Sequence, residues 1–597
     1  MKRQNLLAFV ALCAFIIPLD PAWSADTVVV TATRTAHTAD ELLAPVSVIT
    51  REDIERSEAR DLGELLASQP GLQVIRNGGY GKNTSVFMRG TNFGHVLTLV
   101  DGIKLYSATL GATAFQFLPL GQIERIEIVR GPRSSLYRSE AVGGVIQIFT
   151  RRGDRTSRHY ANAGYGTYNT LEAGAGVSGP SGGSSFSLDV SLLDTDGIDS
   201  TSGAQSDKDG YDNRAVSASW RNSDDDTGEL DFSLMHATGN TGFDNPYSGP
   251  DVIHDSDYLQ QILNLRWLYS GEQGWSSSFQ FGQSRDDSDT FSDGVLDGKF
   301  DTTRDQVSWQ LDWPMGNIHL LTVGADYADD AIDTLVAYDL NSRSNLGVFS
   351  QWQGAYGRQN VVVGLRYDDN EQFDSHATGS IDYAFDLAGG LRLNAGYGTA
   401  FKAPSFNDLY YPGFGNPALK VESSSSAELG LTGEVDEGRW ALRLFRTSID
   451  DLIGFDPLTY APVNVDEAEI NGLETEWAGR WSDWNLSASL SLTDPQDKKT
   501  GNQLPRRAKE TGQVTANRQM GSWGFAVNGQ YQGDRYDDKA NSVLLDSYSL
   551  LNTHLSYELT ADWTVKGEIN NLLDESYTTA SGYHEPGRVL FIRLLYR

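Results

Sequence analysis

Five aspartates carry the clearest capacity for chemistry: Asp199, Asp207, Asp209, Asp244 and Asp255, set in two stretches rich in Gly, Ser and Asp. Carboxylates are hard oxygen donors, and several on neighbouring loops make the kind of set that calcium prefers. In a chain with 80 acidic against 47 basic residues, the same pattern also suits solvated loops. Catalytic groups are harder to find. Cys13 is the single cysteine and falls in the first apolar stretch, so the rest of the chain holds no thiol for disulfides, zinc-thiolate sites or nucleophilic catalysis. Gly174-Ala175-Gly176-Val177-Ser178-Gly179 spells a dinucleotide fingerprint and Gly179-Pro180-Ser181-Gly182-Gly183 a hydrolase elbow. Both overlap one short turn between strands, and neither opens a helix, as that chemistry requires. Gly81-Lys82-Asn83 lacks the hydroxyl and the upstream glycine of a phosphate loop. The reading is of a protein that binds no nucleotide and is not an enzyme, since no acid, base and nucleophile converge.

The aspartates need elements to hold them. Residues 1–24 open with Lys2 and Arg3, run apolar from Leu6 to Pro18 and end in Ala22-Trp23-Ser24, the pattern of a secretory signal peptide. No later stretch offers the roughly 18 consecutive apolar residues of a transmembrane helix. The net charge of -33 becomes one unit more negative once Lys2, Arg3 and Asp20 leave with that peptide, which disfavours nucleic acid as a partner and favours cations.

Past residue 154 the dominant signal is a period of two. Phe186, Leu188, Val190 and Leu192 alternate with Ser187, Asp189 and Ser191; Trp484, Leu486, Ala488 and Leu490 alternate with Asn485, Ser487 and Ser489. Such strands have one apolar and one polar face. Trp440, Trp481, Trp484, Trp523 and Trp563 recur at strand ends, where a membrane interface holds aromatics. Short turns alternate with long acidic connections at 194–213 and 242–257, the asymmetry of an outer-membrane barrel. The remaining length, at about 20 residues per strand and connection, gives an antiparallel transmembrane β-barrel of about 22 strands, a size that carries a plugged lumen. Residues 35–153 read differently. They suggest short helices at 52–56 and 61–67, strands at 96–100 and 123–129, and a hairpin turn at Asp101-Gly102, hence a small α+β domain. The plan is an all-β membrane protein with a signal peptide (1–24), a linker (25–34), an α+β domain (35–153) and a barrel (154–597).

Within the linker, Asp26-Thr27-Val28-Val29-Val30-Thr31-Ala32 is a β-prone heptad outside either domain, and an exposed strand of this kind pairs with a partner's sheet edge. The heptad resembles a TonB box. The α+β domain after it resembles the plug of TonB-dependent receptors at Val86-Phe87-Met88-Arg89-Gly90, Leu99-Val100-Asp101-Gly102, Ile123-Glu124-Arg125-Ile126-Glu127-Ile128-Val129-Arg130-Gly131-Pro132 and Ala141-Val142-Gly143-Gly144-Val145-Ile146. With Asn570-Asn571-Leu572-Leu573-Asp574-Glu575-Ser576-Tyr577 near the C-terminus, the likeness covers the chain beyond its leader. It implies a plug inside the lumen and a Gram-negative outer membrane, with lipid and lipopolysaccharide around a monomer. It also implies TonB, with ExbB and ExbD, engaging the heptad to drive import of a scarce solute.

Within that family Asn77-Gly78-Gly79-Tyr80-Gly81, Arg89-Gly90-Thr91-Asn92, Tyr397-Gly398-Thr399-Ala400-Phe401-Lys402-Ala403-Pro404, Arg506-Arg507-Ala508-Lys509 and Gly582-Tyr583 resemble the cobalamin receptors. That implies a corrinoid solute, with a ferric siderophore as the alternative. Haem receptors typically carry a histidine in the stretch corresponding to 405–415, which has none here. By the same resemblance the solute contacts are Asn77, Gly78, Gly79, Tyr80, Gly81, Tyr106, Ser107, Leu110 and Phe115 of the plug, with Phe243, Arg506 and Tyr583 of the barrel. Asp199, Asp207, Asp209, Asp244 and Asp255 become calcium ligands that assist substrate binding. There are departures: Phe243 stands where those receptors have tyrosine, the 199–207 loop is shorter, and Arg138 replaces a usual plug glycine.

Overall fold

The computed structural model describes residues 29–30, 37–38 and 43–597, apart from 138, 203–204, 225–226, 247, 436, 457–459 and the side chain of 466. The expected signal peptide, Arg138 and most of the heptad lie outside the described residues. Of the heptad, Val29–Val30 is described as a backbone segment pairing antiparallel with His37–Thr38.

From Arg158 onward the chain forms a closed barrel of 22 antiparallel strands, each paired with its neighbour in sequence. The first, Arg158–Gly166, closes the ring against the last, Val589–Tyr596. Alternation gives the wall two faces. On the outside, Trp220, Phe232, Leu265, Phe281, Val307, Tyr327 and Leu346 lie directly opposite one another across successive strands, each exposed. That is a continuous apolar row facing lipid. Trp481, Trp523 and Trp563 border tight turns at the periplasmic rim, where indole rings suit the interface. Inward-facing Ser217, Ser233, Asp231, Gln260 and Asn264 are buried against the domain that fills the lumen.

Two details differ from the sequence reading. The connection expected over 194–213 is half strand: Asp194 pairs with Asp212 and Thr195 with Tyr211, and after a bulge Ile198 pairs with Asp209. Only 199–208 is loop, and the second connection narrows to 243–253. Above the membrane the outer face meets water, so the hydrophobic alternation stops while the hydrogen-bond ladder continues. The glycine-rich run Gly174 to Gly179 likewise lies within the strand Thr170–Ser181, not in a turn.

Inside the barrel, residues 46–150 fold around a five-stranded sheet ordered Val46–Thr50, Ile123–Arg130, Gly144–Thr150, Val96–Val100, Ile103–Lys104. The pair Val96–Val100 and Gly144–Thr150 is parallel and the others antiparallel. Helix Arg51–Arg56 starts at a Thr50 capping box and helix Leu62–Ala67 at Asp61, whose side chain accepts from the Glu64 amide. Asp101 (φ 50) and Gly102 (φ 86) make the expected tight hairpin. Leu62, Leu66, Ile126, Ile128 and Ile146 form a core that includes Met235 and Ile262 of the barrel, so plug and wall share one apolar interior. Ion pairs tie the opposite side: Arg89 binds Glu474 in bidentate fashion (3.0 and 2.7 Å) and Glu428 (2.5 Å), while Arg130 reaches Glu476 (2.7 Å).

Candidate functional site

The plug presents two apices to the extracellular loops. The first is 77–83, following the strand Leu72–Arg76. Gly78 (φ +123) and Gly81 (φ +73) sit in backbone that side chains rarely adopt. A Cβ on Gly81 would lie 2.2 Å from the Tyr211 ring, and one on Gly78 would lie 2.6 Å from Ser200 Oγ. Glycine is required because the apex is pressed against the 199–208 loop and its strand. Tyr80 is buried with Phe117, Tyr211 and Tyr258. Phe117 stacks on Tyr258 at 3.7 Å with rings nearly parallel, and Asn213 Nδ2 lies within 3.0 Å of both tyrosine hydroxyls and the Phe117 carbonyl.

The second apex, 106–111, meets the 403–421 loop. The amides of Phe406 and Asn407 donate to the carbonyls of Ala108 and Thr109 (3.1 and 3.0 Å). Tyr106 and Ser107 are buried there, and Leu110 is exposed. Phe115 belongs to the plug core at 3% exposure, away from the vestibule. Arg506 binds Asp537 through Nε and Nη2 (2.7 and 3.3 Å), and Phe243 stacks on His254 at 5.5 Å. Tyr583 bridges in register to Thr201, and the His584 amide donates to the Ser200 carbonyl (2.9 Å). The site residues thus divide: Asn77 to Gly81, the aspartate loop and Tyr583 are brought together, Arg506 adjoins the Tyr583 loop through Asp537, which also accepts from the Ser581 amide (3.3 Å), and Leu110 sits on the second apex.

The aspartates share one region without converging. Asp209 Oδ2 accepts from the Ser200 amide (2.8 Å), Asp244 Oδ2 from the Thr201 hydroxyl (2.7 Å) and Asp255 Oδ2 from Asn240 (2.7 Å). Among the described residues, no three acidic or histidine side chains stand close enough to hold a metal ion. The 199–208 loop supplies the Ser200 amide to Asp209 and the Thr201 hydroxyl to Asp244, and its own Asp199 accepts from the Thr201 amide (3.3 Å). Their charges still interact: burial, with Asp199 and Asp207 adding to it, pushes the Asp244 carboxyl above its usual value.

Beneath them lies Lys82, a residue whose sequence context shows only a failed phosphate loop. Its Nζ donates to the carbonyls of Tyr80 (3.0 Å) and Gly210 (3.2 Å) and to Thr241 Oγ1 (3.0 Å), using all three donors. Burial pushes its pKa down to about 8 against the pull of Asp209 and Asp244. A lone lysine in a loop carries no motif. An apolar-to-charged switch at a glycine-rich apex facing acidic loops was the available signal.

Residues 38–145 match the family model for the TonB-dependent receptor plug domain, and residues 148–572 match that for the TonB-dependent receptor-like β-barrel. The chain belongs to the TonB-dependent receptors. The receptor is 32% identical to the vitamin B12 transporter BtuB of Photobacterium profundum and 32% identical to that of Vibrio vulnificus, with all of both chains covered in each case. Its fold is similar to that of the ferric enterobactin receptor PfeA from Pseudomonas aeruginosa (TM-score 0.78, 18% identity, covering 95% of this chain and 100% of that one). It is also similar to that of the siderophore receptor PirA from Acinetobacter baumannii (TM-score 0.78, 19% identity, 92% and 98%). The receptor is therefore a transporter in the outer membrane of a Gram-negative bacterium, energised through TonB, and not an enzyme.

Proposed function

We propose that the receptor imports a corrinoid of the cobalamin type. The observation that carries this reading is the end-to-end likeness to proteins named vitamin B12 transporters, at 32% identity with full coverage of both chains. The vestibule's chemistry supports it. Solute entering above the 77–81 apex meets half-buried Asp199 and exposed Asp207, whose charge repels an anionic ferric catecholate and leaves a large solute of low net charge, studded with carboxamides, unopposed, while Asp209 and Asp244 are buried beneath them beside Lys82. Binding there is by contact and hydrogen bond, and no bond in the solute changes. TonB, pairing with the N-terminal strand, then pulls on the plug.

The second reading, a ferric siderophore, is favoured by solved neighbours that are siderophore receptors. At 18–19% identity that likeness carries the fold, and the solute is left to the vestibule's chemistry. Calcium held by these loops is part of the proposal on the donor chemistry of the aspartates alone, and no step of uptake is routed through a metal.

The experiment is titration of the purified receptor with cyanocobalamin and with ferric enterobactin, each in calcium and in excess chelator. Tight cyanocobalamin binding with none of the catecholate supports the corrinoid. The reverse hands the assignment to the siderophore. Equal cyanocobalamin affinity in calcium and in chelator reduces the aspartates to solvated loop charges.

A further inference from the structure

Where the first apex touches the barrel, charged side chains from three elements are gathered almost out of reach of water: Lys82 (3% exposed), Asp209 (3%) and Asp244 (6%). Lys82 belongs to the plug, Asp209 opens the strand Asp209–Asp224, and Asp244 follows the strand Gly228–Gly242. Consecutive residues of the 199–208 loop bind the two carboxylates, since the Ser200 amide donates to Asp209 and the Thr201 hydroxyl to Asp244 (2.8 and 2.7 Å). Like charges held this way repel each other in a setting that water screens poorly. Burial pushes the Asp209 carboxyl above its usual value and Asp244 adds to that push, while the Ser200 hydrogen bond and the Lys82 ammonium oppose it. Such a pair calls for a cation.

Lys82 is placed to supply one. Its Nζ donates to the carbonyl of Gly210, the residue after Asp209, and to Thr241 Oγ1, three residues before Asp244 (3.2 and 3.0 Å). The third donor holds the Tyr80 carbonyl of the apex (3.0 Å), so one ammonium joins the apex to both acidic strands. Thr241 Oγ1 in turn donates to the Gly81 carbonyl (3.3 Å). Lys208, the lysine within the acidic loop itself, turns outward to Asp196 (3.2 Å) and is exposed.

The position of Lys82 is fixed from below. It stands at the top of a filled arc of the barrel, where Asn213, Gln260 and Gln280 donate to the plug carbonyls of Phe117, Ala114 and Asp101, each at 3.0 Å, and Met235 and Ile262 enter the plug core. The ammonium is thus held by the seated plug and not by the loops it serves.

We infer that Lys82 is the resident cation of the acidic loops: a positioning residue, carried by the plug, that holds 199–208 and 243–253 together over the first apex and so shapes the surface the solute meets. Calcium bound by the same loops shares this task, so removal of one cation raises the dependence on the other. Because Lys82 belongs to the plug, lifting the apex withdraws the cation, and Asp209 and Asp244 then drive the loops apart. The solute used as a probe rests on the proposed function; the role of Lys82 rests on its contacts.

Lys82→Met keeps most of the apolar stem and removes the charge. The parent, Lys82→Met, and Lys82→Met combined with Asp209→Asn are compared by amide exchange and by cyanocobalamin titration, each in calcium and in excess chelator. In chelator, Lys82→Met should exchange at least about tenfold faster than the parent over 77–83, 199–208 and 243–253, and bind cyanocobalamin at least about tenfold more weakly. Exchange over Val96–Val100, in the plug sheet, should match the parent's. Calcium should recover most of the loss in Lys82→Met and change the parent less. The added Asp209→Asn should recover it too, because it removes the excess negative charge while keeping an oxygen acceptor for the Ser200 amide; a lysine that acted only as a hydrogen-bond donor could not be replaced in that way. Chelator acting alike on the parent and Lys82→Met, or a double variant as loose as the single one, overturns the inference. Exchange that quickens equally over Val96–Val100 overturns it as well, since Lys82 would then support the whole plug and not the loops. If no form binds cyanocobalamin, the choice of solute falls, and the exchange rates still decide the role of Lys82.

Discussion

Replacing Gly81 with alanine tests whether the first apex is a pre-shaped part of the binding surface. At φ +73 an L-residue costs about 1–2 kcal/mol relative to glycine. The new methyl would stand 2.2 Å from Cδ2 and 2.5 Å from Cγ of Tyr211. That ring cannot step aside freely: its hydroxyl donates to the Gln116 carbonyl (3.1 Å), and it packs 6.0 Å from the Tyr258 ring. Overpacking of this kind costs about 1–3 kcal/mol. The sum of about 2–5 kcal/mol is relieved by the 77–83 loop lifting off the barrel. If solute binding needs the loop seated, it must repay that energy, and affinity falls at least about 30-fold, at roughly 1.4 kcal/mol per factor of ten. Calorimetric titration with cyanocobalamin of parent, Gly81→Ala and Gly316→Ala reads the effect. Gly316 has a similar φ of +71 with nothing within 4 Å of a built Cβ, so its variant carries the backbone cost alone, in a turn remote from the vestibule. A Gly81→Ala affinity within twofold of the parent would refute the reasoning.

Three other outcomes are expected. Proline at Val30 removes an amide donor from the N-terminal strand, so uptake should be lost while cyanocobalamin binding is kept; uptake that survives means this strand is not where TonB couples. Lys566 Nζ donates to the carbonyls of Glu55 (3.0 Å) and Ser57 (2.6 Å), and Lys566→Met should strand both acceptors at about 1–3 kcal/mol. Amide exchange over residues 50–60 should then quicken by roughly 5- to 150-fold, and unchanged exchange would show that this clasp holds nothing. Burial pushes the Glu585 carboxyl up from 4.5 to about 7, against the pull of Arg76 and the Thr579 hydrogen bond and with Glu64 and Asp61 adding to it. The folded state therefore keeps a proton between those values that the unfolded chain has lost, so stability from this group falls as pH climbs through that window and stays low above 7. Thermal unfolding of the parent and Glu585→Gln should bring the parent below the variant at pH 8 and closer to it at pH 6; a gap independent of pH would contradict this assignment.

The barrel was legible because a membrane imposes period two on every strand at once, which fixes the two faces, whereas the register that lines up Trp220, Phe232, Leu265 and Phe281 is seen only in the structure. Where water replaces lipid the constraint vanishes, which is why 194–198 and 209–213 read as loop although they pair. In the plug, Asp61 as a cap and Asp101-Gly102 as a turn announce themselves locally. The site is different in kind. Lys82 meets Gly210 and Thr241 across more than a hundred residues of intervening chain, and no local pattern encodes that meeting. Phe115 shows the converse: an aromatic beside a candidate apex turns inward to fill the core.

The strand Val46–Thr50 lies at the edge of the plug sheet and is the first stretch of it along the chain. A load applied from the N-terminus enters at its Val46 end, where the Arg130 amide binds the Pro45 carbonyl, and meets the rungs to Ile123–Arg130 one after another. Peeling an edge in this order needs far less peak force than shearing all rungs together. Next come Arg51, whose Nη1 donates to the Leu120 and Ile123 carbonyls (3.2 and 2.8 Å), and the clasp at residues 55–58, where Lys566 holds two carbonyls, His554 Nδ1 lies 2.9 Å from Glu58 and Asn570 binds the Glu58 carbonyl. Once it yields, tension reaches helix Leu62–Ala67, while the central strands of the sheet, buried between their neighbours and the filled arc, are still unloaded. The order of elements along the chain thus works as a mechanical fuse: it lets a small tug withdraw one side of the plug and stops the pull from emptying the barrel.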